Sequence, residues 1–274
     1  MYAGPHAACP GKTRSAVAPG WKVVENGLME NDDILRVATY NIHKGVQGLG
    51  PARRLEIHNL GLAVEQLDAD IVCLQEVRKL HRREAAYFQR WPDVPQAEFL
   101  APEGYEAVYR TNAFTKHGEH GNALLSRWPV LAHRHEDMSD HRFEQRGLLH
   151  VEVDVQGRVL HVIVVHFGLI PASRVRQVEQ LGRYIDREVP ADSPLVVAGD
   201  FNDWGTRIQR ALHGLGMRSS DTVRCPTYPS RLPVVQLDQI FARGLKPMHL
   251  HVPRGRIWGR MSDHLPLIGE FGLT

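Results

Sequence analysis

The stretch Leu195-Val-Val-Ala-Gly199-Asp200-Phe-Asn202-Asp203 constrains this chain more than any other. A short apolar, β-branched run stops abruptly at a glycine, an acid, an aromatic ring and an amide. An apolar run without polar alternation reads as a strand buried on both faces, so the sheet that holds it needs cover above and below. Asp200 and Asn202 are two apart, and on extended backbone they point to the same side. A carboxylate beside a carboxamide can bind a hard cation, or a phosphate oxygen and its attacking water. The same residues also fit a strand-to-helix turn in which Asp200 merely caps the next helix. The motif alone leaves both readings open, and recurrence elsewhere in the chain decides between them.

Comparable runs do recur. Residues 34–40, 71–76, 123–126, 234–241 and 265–271 read as strands. Residues 148–155 and 159–165 flank Gln156-Gly157, which is the signature of an antiparallel hairpin. Helical apolar spacing runs through Leu55, Leu60, Leu62, Ala63 and Leu67. Residues 78–89, 171–188 and 208–215 also read as helices, with Pro171 suited to a first turn. Hairpins mixed with crossover helices predict an α/β fold in which two mixed sheets pack face to face under outer helices.

The 274 residues suffice for a sizeable core without disulfide staples. Lys and Arg total 33 against 31 Asp and Glu, which excludes a global basic field and leaves room for a local patch. The cysteines Cys9, Cys73 and Cys225 are far apart and form neither a disulfide framework nor a zinc ribbon. No segment is long and apolar enough to span a membrane. The first 20 residues are rich in Ala, Pro and Gly and lack the apolar core of a secretory signal. Residues 1–33 are therefore expected to be a flexible lead-in, residues 34–274 one domain, and the location cytoplasmic. Gly11-Lys12-Thr13 resembles the end of a P-loop, but His6 stands where the earlier glycine is required.

Polar groups follow the apolar runs at six places: Asn41 and His43, Gln75 and Glu76, His166, Asp200 and Asn202, Asp238, and Asp263 with His264. One polar strand end is ordinary, because ends are wet. Four buried carboxylates brought together would repel one another. A divalent cation and protonatable histidines would offset that repulsion. Oxygen ligands favour Mg²⁺ or Mn²⁺ over zinc and leave the imidazoles for phosphate contact and proton transfer.

Thr39-Tyr-Asn41-Ile, Leu74-Gln-Glu76-Val, Gly121-Asn122-Ala-Leu-Leu-Ser126, Val165-His166-Phe, Gly199-Asp-Phe-Asn202, Leu237-Asp238-Gln-Ile and Ser262-Asp-His264-Leu-Pro together resemble the ordered motif series of the endonuclease/exonuclease/phosphatase superfamily. That superfamily includes deoxyribonuclease I-like nucleases, abasic-site endonucleases, neutral sphingomyelinases and inositol polyphosphate phosphatases. Each motif is short, but the full set in order is specific and runs from about residue 35 to 271. The resemblance implies a four-layered α/β sandwich and Mg²⁺-dependent phosphoester hydrolysis. Asn41-Ile-His43-Lys44-Gly45, Trp204 and Leu237-Asp-Gln-Ile further resemble a small bacterial branch often described as encoded beside a cardiolipin synthase.

On that resemblance Glu76 is the main metal ligand, with Asn41 and Asp263 on the metal side and Mn²⁺ able to replace Mg²⁺. Asp200 orients or deprotonates the attacking water, and Asn202 holds a phosphate oxygen. His264, backed by Asp238, contacts the phosphate as a charged donor or acts as general base. His166 takes the other side of the phosphate or helps the leaving group, with no partner acid evident from the sequence. Arg146 approaches the phosphate or the loop around it, and Asn122 either binds phosphate or is structural. His117-Gly-Glu119-His120 lacks the helical spacing of a zinc motif and reads as a rim loop. Lys79, Arg82 and Arg83 are either a solvated helix face or a track for a phosphate backbone. Trp204 either stacks on a base or packs under the sheet. The expected substrate is nucleic acid, DNA ahead of RNA. A phospholipid headgroup phosphodiesterase or phosphatase is the enzymatic alternative, docking through residues 91–102 or Ile257-Trp258. A non-catalytic binding protein that keeps the fold is the remaining one.

Overall fold

The computed structural model describes residues 34–220 and 224–273. The expected lead-in over residues 1–33, with Cys9 and Gly11-Lys12-Thr13, lies outside the described residues. Along the chain the elements are β1 (Ile34–Asn41), the short pair β2 (Val46–Gln47) and β3 (Arg54–Leu55), α1 (Ile57–Leu67), β4 (Ile71–Val77), α2 (Arg82–Tyr87) and α3 (Gln96–Leu100). Next come β5 (Glu106–Thr115), β6 (Gly118–Ser126), β7 (Val130–Asp137), β8 (Gly147–Val155), β9 (Arg158–His166), α4 (Pro171–Glu188), β10 (Leu195–Asp200) and α5 (Arg207–Gly214). The remainder is β11 (Asp238–Arg243), β12 (Lys246–His251), α6 (Trp258–Met261) and β13 (Leu267–Gly272).

Two mixed sheets result, in the orders β12-β13-β1-β4-β6-β5 and β11-β10-β9-β8-β7. Each contains one parallel pair, β1 with β4 and β9 with β10, and is otherwise antiparallel. Leu35, Val37, Ile71, Cys73 and Leu124 of the first sheet pack against Val151, Val162, Val164, Val196 and Ile240 of the second. Alternation turns Ala38, Tyr40, Val72 and Leu74 to the outer face, where they meet Ile57, Leu60, Val64 and Leu67 of α1. The outer face of the second sheet, with Ile163, Val165 and Val197, is covered by Val178, Leu181 and Ile185 of α4 and by Ile208 and Leu212 of α5. Each fully buried Leu, Ile or Val contributes about 1.5–3 kcal/mol. The architecture is the four-layered α/β sandwich, and the runs that lacked polar alternation are those covered on both faces.

Several boundaries differ from the sequence reading. α1 starts at Ile57 because Arg54 and Leu55 pair with Val46 and Gln47. The helix expected over residues 78–89 shrinks to α2, capped by His81, whose Nδ1 accepts from the Glu84 N–H at 3.2 Å. Of the run 234–241 only the part from Asp238 is strand; Val235 instead bonds back to Tyr228. β5, β7 and β12 carry few apolar residues and sit at sheet edges, where half of their backbone needs no partner. The hairpin from β8 to β9 turns at Gln156 (φ 55°) and Gly157 (φ 82°), the two positive φ values of a type I′ turn.

Candidate functional site

The alternation that buries β1, β9, β10 and β11 between the sheets places their polar last or first residues on the same inward side. Asn41 follows Leu35 and Val37, His166 follows Val162 and Val164, Asp200 follows Val196 and Ala198, and Asp238 precedes Ile240. Register completes the convergence, because Asp200 lies opposite His166 on one side and Asp238 on the other. Close approach of β9 and β10 depends on Gly199 (φ 153°), since a Cβ there would overlap the Val165 carbonyl.

Asp200 is the hub of the cluster. Its Oδ2 accepts from Asn41 Nδ2 at 3.1 Å, and its Oδ1 accepts from the Asn202 backbone N–H at 2.9 Å. His166 Nε2 lies 3.5 Å and His264 Nε2 3.7 Å from Oδ2. His264 Nδ1 is bonded to Asp238 Oδ2 at 2.8 Å. His166 thus has the acid partner that the sequence did not reveal. Asp200 and Asp238 are 1 % and 0 % exposed, so every charge here acts with little screening by water.

These surroundings push the two imidazoles apart. Burial opposes a charge on His264, but Asp238 and Asp200 outweigh it and raise the ring to about 10. Burial and then the Arg146 cation hold His166 well below the ordinary histidine range, with Glu76 pulling the other way. Burial and the Asp238 charge raise Asp200, against the pull of His264 and the Asn202 and Asn41 hydrogen bonds. The result is a cationic imidazole and a neutral one on either side of a carboxylate of raised proton affinity. Environments that separate like groups in this way are what acid–base chemistry at neutral pH requires.

Glu76 is the penultimate residue of β4 and follows Gln75, which pairs with Asn41. Its φ of 56° is left-handed, a strained backbone for a non-glycine residue, and the β4–β6 register breaks between Leu74 and Val77. Burial favours its neutral form, yet Lys44 and then His166 overcome that and hold the carboxyl well below the usual carboxylate range. Lys44 Nζ lies 2.6 Å from Glu76 Oε2, although that oxygen has no hydrogen bond of good geometry. A partly buried anion whose direct ion pair is to a flexible ammonium has capacity for a metal cation. With the Asn41 carboxamide oxygen and Asp263 nearby the donors are hard oxygens, the set that fits Mg²⁺ or Mn²⁺. Ligand atoms of Asp200, Asp238 and His264 also lie within 4.8 Å of one another. There, however, Asp238 Oδ2 and His264 Nδ1 are taken up by their mutual bond and both Asp200 oxygens accept, so Asp238 Oδ1 is the one carboxylate oxygen of that trio left without a partner among the described residues. The Glu76 side fits a cation better.

The remaining predicted residues divide. Asn202 (φ 49°) donates from Nδ2 to the Phe167 carbonyl at 2.9 Å, which leaves its second amide hydrogen free for an acceptor. Asp263 pairs with His43 Nδ1 at 3.1 Å. Arg146 is committed to the loop: its guanidinium donates to the Phe167 and Gln145 carbonyls and to Glu144 Oε1. Asn122 bridges the sheets, donating to the Gly147 and Val164 carbonyls at 2.9 and 3.2 Å, with its Oδ1 buried and unbonded. Trp204 is 63 % exposed and edges onto Tyr228, whose ring lies 5.0 Å from that of His264.

Three side chains beside the site were visible in the sequence but were given no role in it. Lys44 and His43 pair with Glu76 and Asp263. His120 belongs to β6 rather than to a rim loop, and burial and the neighbouring Lys44 lower it to about 4. Its signal was available, since it precedes Asn122 by two residues and shares its face of the strand.

The model of the Endonuclease/Exonuclease/phosphatase family matches residues 38–264. Escherichia coli (strain K12) YbhP is 36 % identical over 249 residues, covering 87 % of this chain and 96 % of its own. The Bacteroides vulgatus endonuclease/exonuclease/phosphatase superposes with a TM-score of 0.67 at 19 % identity, over 88 % of this chain and 99 % of that one. D. rerio TDP2 complexed with single strand DNA product superposes with a TM-score of 0.60 at 18 % identity, over 88 % of this chain and 100 % of that one. Sequence, fold and polar strand ends agree, and this chain belongs to the endonuclease/exonuclease/phosphatase family of metal-dependent phosphoester hydrolases.

Proposed function

We propose that the chain is a Mg²⁺-dependent phosphodiester hydrolase acting on nucleic acid, DNA ahead of RNA. The observation that carries the hydrolytic reading is the Asp238–His264–Asp200–His166 line, with one imidazole charged and the other neutral. Glu76, Asn41 and Asp263 would hold the cation, which supplies Lewis-acid stabilisation of the phosphoryl charge and the leaving oxygen. Asp200 orients the attacking water and accepts its proton. His264, kept cationic by Asp238, donates to a phosphoryl oxygen, and the free amide hydrogen of Asn202 donates to another. His166 faces the same phosphate from the opposite side of Asp200. Arg146 acts through the loop it pins rather than as a free fork.

A polyanionic substrate is supported by a groove of about 1150 Å³ beside the Asp263-His264 loop. It is lined by Arg231, Arg254, Arg256 and Arg260, which reach solvent along its length. Its wall includes Ser230, whose Oγ donates to the Ser262 carbonyl at 2.7 Å. Four guanidinia along one groove suit successive phosphates. Exposed Lys79, Arg82 and Arg83 and the exposed Trp204 ring extend the same reading. The phospholipid reading has its own support: Leu232, Val234 and Ile257 stand exposed on the segments that carry these arginines. Trp258 is buried, so Ile257 alone of that pair reaches solvent. No helix among the described residues is long and apolar enough to cross a membrane.

The test is hydrolysis of plasmid DNA, RNA and phospholipid vesicles with Mg²⁺ or Mn²⁺. Glu76→Ala, Asp200→Ala and His264→Ala are expected to fold and to lose roughly 10²–10⁴-fold in rate where a proton-transfer group is removed. Full activity in all three variants overturns the site assignment. Nucleic-acid cleavage that stays absent while vesicles are hydrolysed overturns the substrate assignment.

A further inference from the structure

We infer that His150, Glu152 and His161 form a second metal site, of the zinc type, on the second sheet at the end of β9 remote from Asp200. His150 and Glu152 are two apart on β8 and share a face, and Glu152 lies directly opposite His161 on β9. One opposed and one diagonal cross-strand pair thus bring three ligand groups together. A nitrogen of each imidazole and a carboxylate oxygen all lie within 4.8 Å of one another. His161 and His166 are five residues apart on one strand, roughly 16 Å at 3.3 Å per residue. The cluster is therefore separate from the hydrolytic site.

The two imidazoles already stand as metal ligands stand. His150 Nε2 and His161 Nδ1 are 3.0 Å apart. Two nitrogens at 2.0–2.1 Å from a tetrahedral zinc lie about 3.3 Å apart. His150 Nδ1 is bonded to the Tyr184 hydroxyl of α4 at 3.0 Å. With that hydroxyl accepting, the His150 proton is on Nδ1, its Nε2 accepts from the His161 Nδ1–H, and a metal would take the place of that shared proton as His161 moves its proton to Nε2. Such an outer partner is the usual means of fixing the tautomer of a ligating histidine. Glu152 Oε1 is held by Arg134, and Oε2 has no hydrogen bond among the described residues. Arg134 also faces Glu188 across 3.9 Å, so it can orient the ligating carboxylate while its own charge remains partly matched.

Ligand chemistry selects the ion. Two imidazole nitrogens and one carboxylate suit Zn²⁺, whereas Mg²⁺ prefers oxygen throughout. Both rings are buried while Glu152 is partly exposed, which gives the ion a path from the Arg134 side and a place for a water as fourth ligand. A metal here ties β8 to β9, under the C-terminal half of α4.

The experiment is calorimetric titration of the chelator-treated full chain with Zn²⁺, paired with the visible spectrum of added Co²⁺. It is run on the parent, Glu76→Gln, His161→Gln and Glu152→Gln. The parent and Glu76→Gln are expected to bind one Zn²⁺ with the same affinity and to give the intense Co²⁺ bands of a tetrahedral site. His161→Gln and Glu152→Gln are expected to weaken Zn²⁺ binding at least tenfold and to lose those bands. Added Zn²⁺ should raise the Tm of the parent and not that of Glu152→Gln. Should His161→Gln fail to fold, Glu152→Gln still decides, because its side chain is partly exposed and the amide keeps its shape. Absent binding, binding abolished by Glu76→Gln, or binding undiminished by Glu152→Gln overturns the assignment.

Discussion

Asp238→Asn isolates the charge of one atom in the proposed mechanism. Asp238 Oδ2 sits 2.8 Å from His264 Nδ1, Oδ1 has no hydrogen-bond partner, and the residue is fully buried. An asparagine keeps the volume and can still accept the Nδ1–H proton, but it removes the strongest of the negative neighbours that keep His264 cationic. If His264 stabilises developing phosphoryl charge, turnover should fall by about 10²–10⁴-fold, which is about 2.7–5.4 kcal/mol at 1.36 kcal/mol per decade. Stability should respond far less. A charge-assisted bond becomes a neutral one, a loss of about 1 kcal/mol. Relief of the Asp238 charge that now raises Asp200 works in the opposite direction. For a domain of this size about 1 kcal/mol corresponds to roughly 2–4 °C in Tm.

The assay is Mg²⁺-dependent cleavage of bis(p-nitrophenyl) phosphate and of plasmid DNA, read as kcat and KM separately, with a thermal melt of the same samples. The expected pattern is a large loss in kcat with KM and Tm nearly unchanged. A variant that melts normally and keeps more than a tenth of parent turnover would show that the Asp238 charge is not needed for the reaction. The role of a cationic His264 in stabilising phosphoryl charge would then have to be abandoned.

Trp204→Ala should raise KM for single-stranded DNA by roughly tenfold, because one stacked base contributes about 1–3 kcal/mol, and leave bis(p-nitrophenyl) phosphate turnover alone; equal effects on both substrates would contradict base stacking. Gly199→Ala should cost about 3 kcal/mol or more in urea unfolding, since the added methyl meets the Val165 carbonyl across β9 and β10; an unchanged midpoint would show that the strands can separate at the site. His81 is held near 4 by burial and by Arg78, below its unfolded value near 6.5. The unfolded chain therefore binds the proton first, and this contribution is complete above pH 6.5 and lost as the pH falls toward 4. Protonated Nδ1 can no longer accept from the Glu84 N–H. His81→Asn, which caps without titrating, should recover about 1 kcal/mol at pH 5 relative to pH 7 in urea titrations, and an unaltered pH dependence would remove His81 from the account of acid unfolding.

Legibility in the sequence has a physical basis. Residues 195–200 and 71–77 are visible because burial on both faces leaves no room for polar alternation. β5, β7 and β12 are not, because an edge strand can carry His133, Arg134, His135 or His249 without penalty. The polar strand ends were legible one at a time, since each interrupts an apolar run. Their partners were not: that Asp200 faces His166 depends on the register of two strands joined through an 18-residue helix, and neither strand encodes it alone. Arg146 and Asn122 show the converse limit. Both are polar residues near the site, yet the carbonyls that engage them belong to loops and strands of the second sheet, so sequence proximity could not distinguish a phosphate ligand from a brace.

The position of the basic side chains explains how these carboxylates coexist. Asp200 and Asp238 are buried and Glu76 and Asp263 partly so, and four acids at neighbouring strand ends repel one another unless each is matched. Instead each acid has a cationic or donor group supplied by the chain: Lys44 for Glu76, His43 for Asp263, His264 for Asp238, and Asn41 with the Asn202 N–H for Asp200. Of these, the Lys44–Glu76 pair is the one made by a long, flexible side chain to an oxygen without a well-formed hydrogen bond. It is also the pair whose anion sits on strained backbone. A cation that arrives at Glu76 would displace an ammonium able to swing away, whereas at Asp200 or at Asp238 Oδ2 it would have to break hydrogen bonds between rigid groups. In the proposed mechanism this distribution of charge would direct the cation to Glu76 and leave the Asp238–His264–Asp200 line in place.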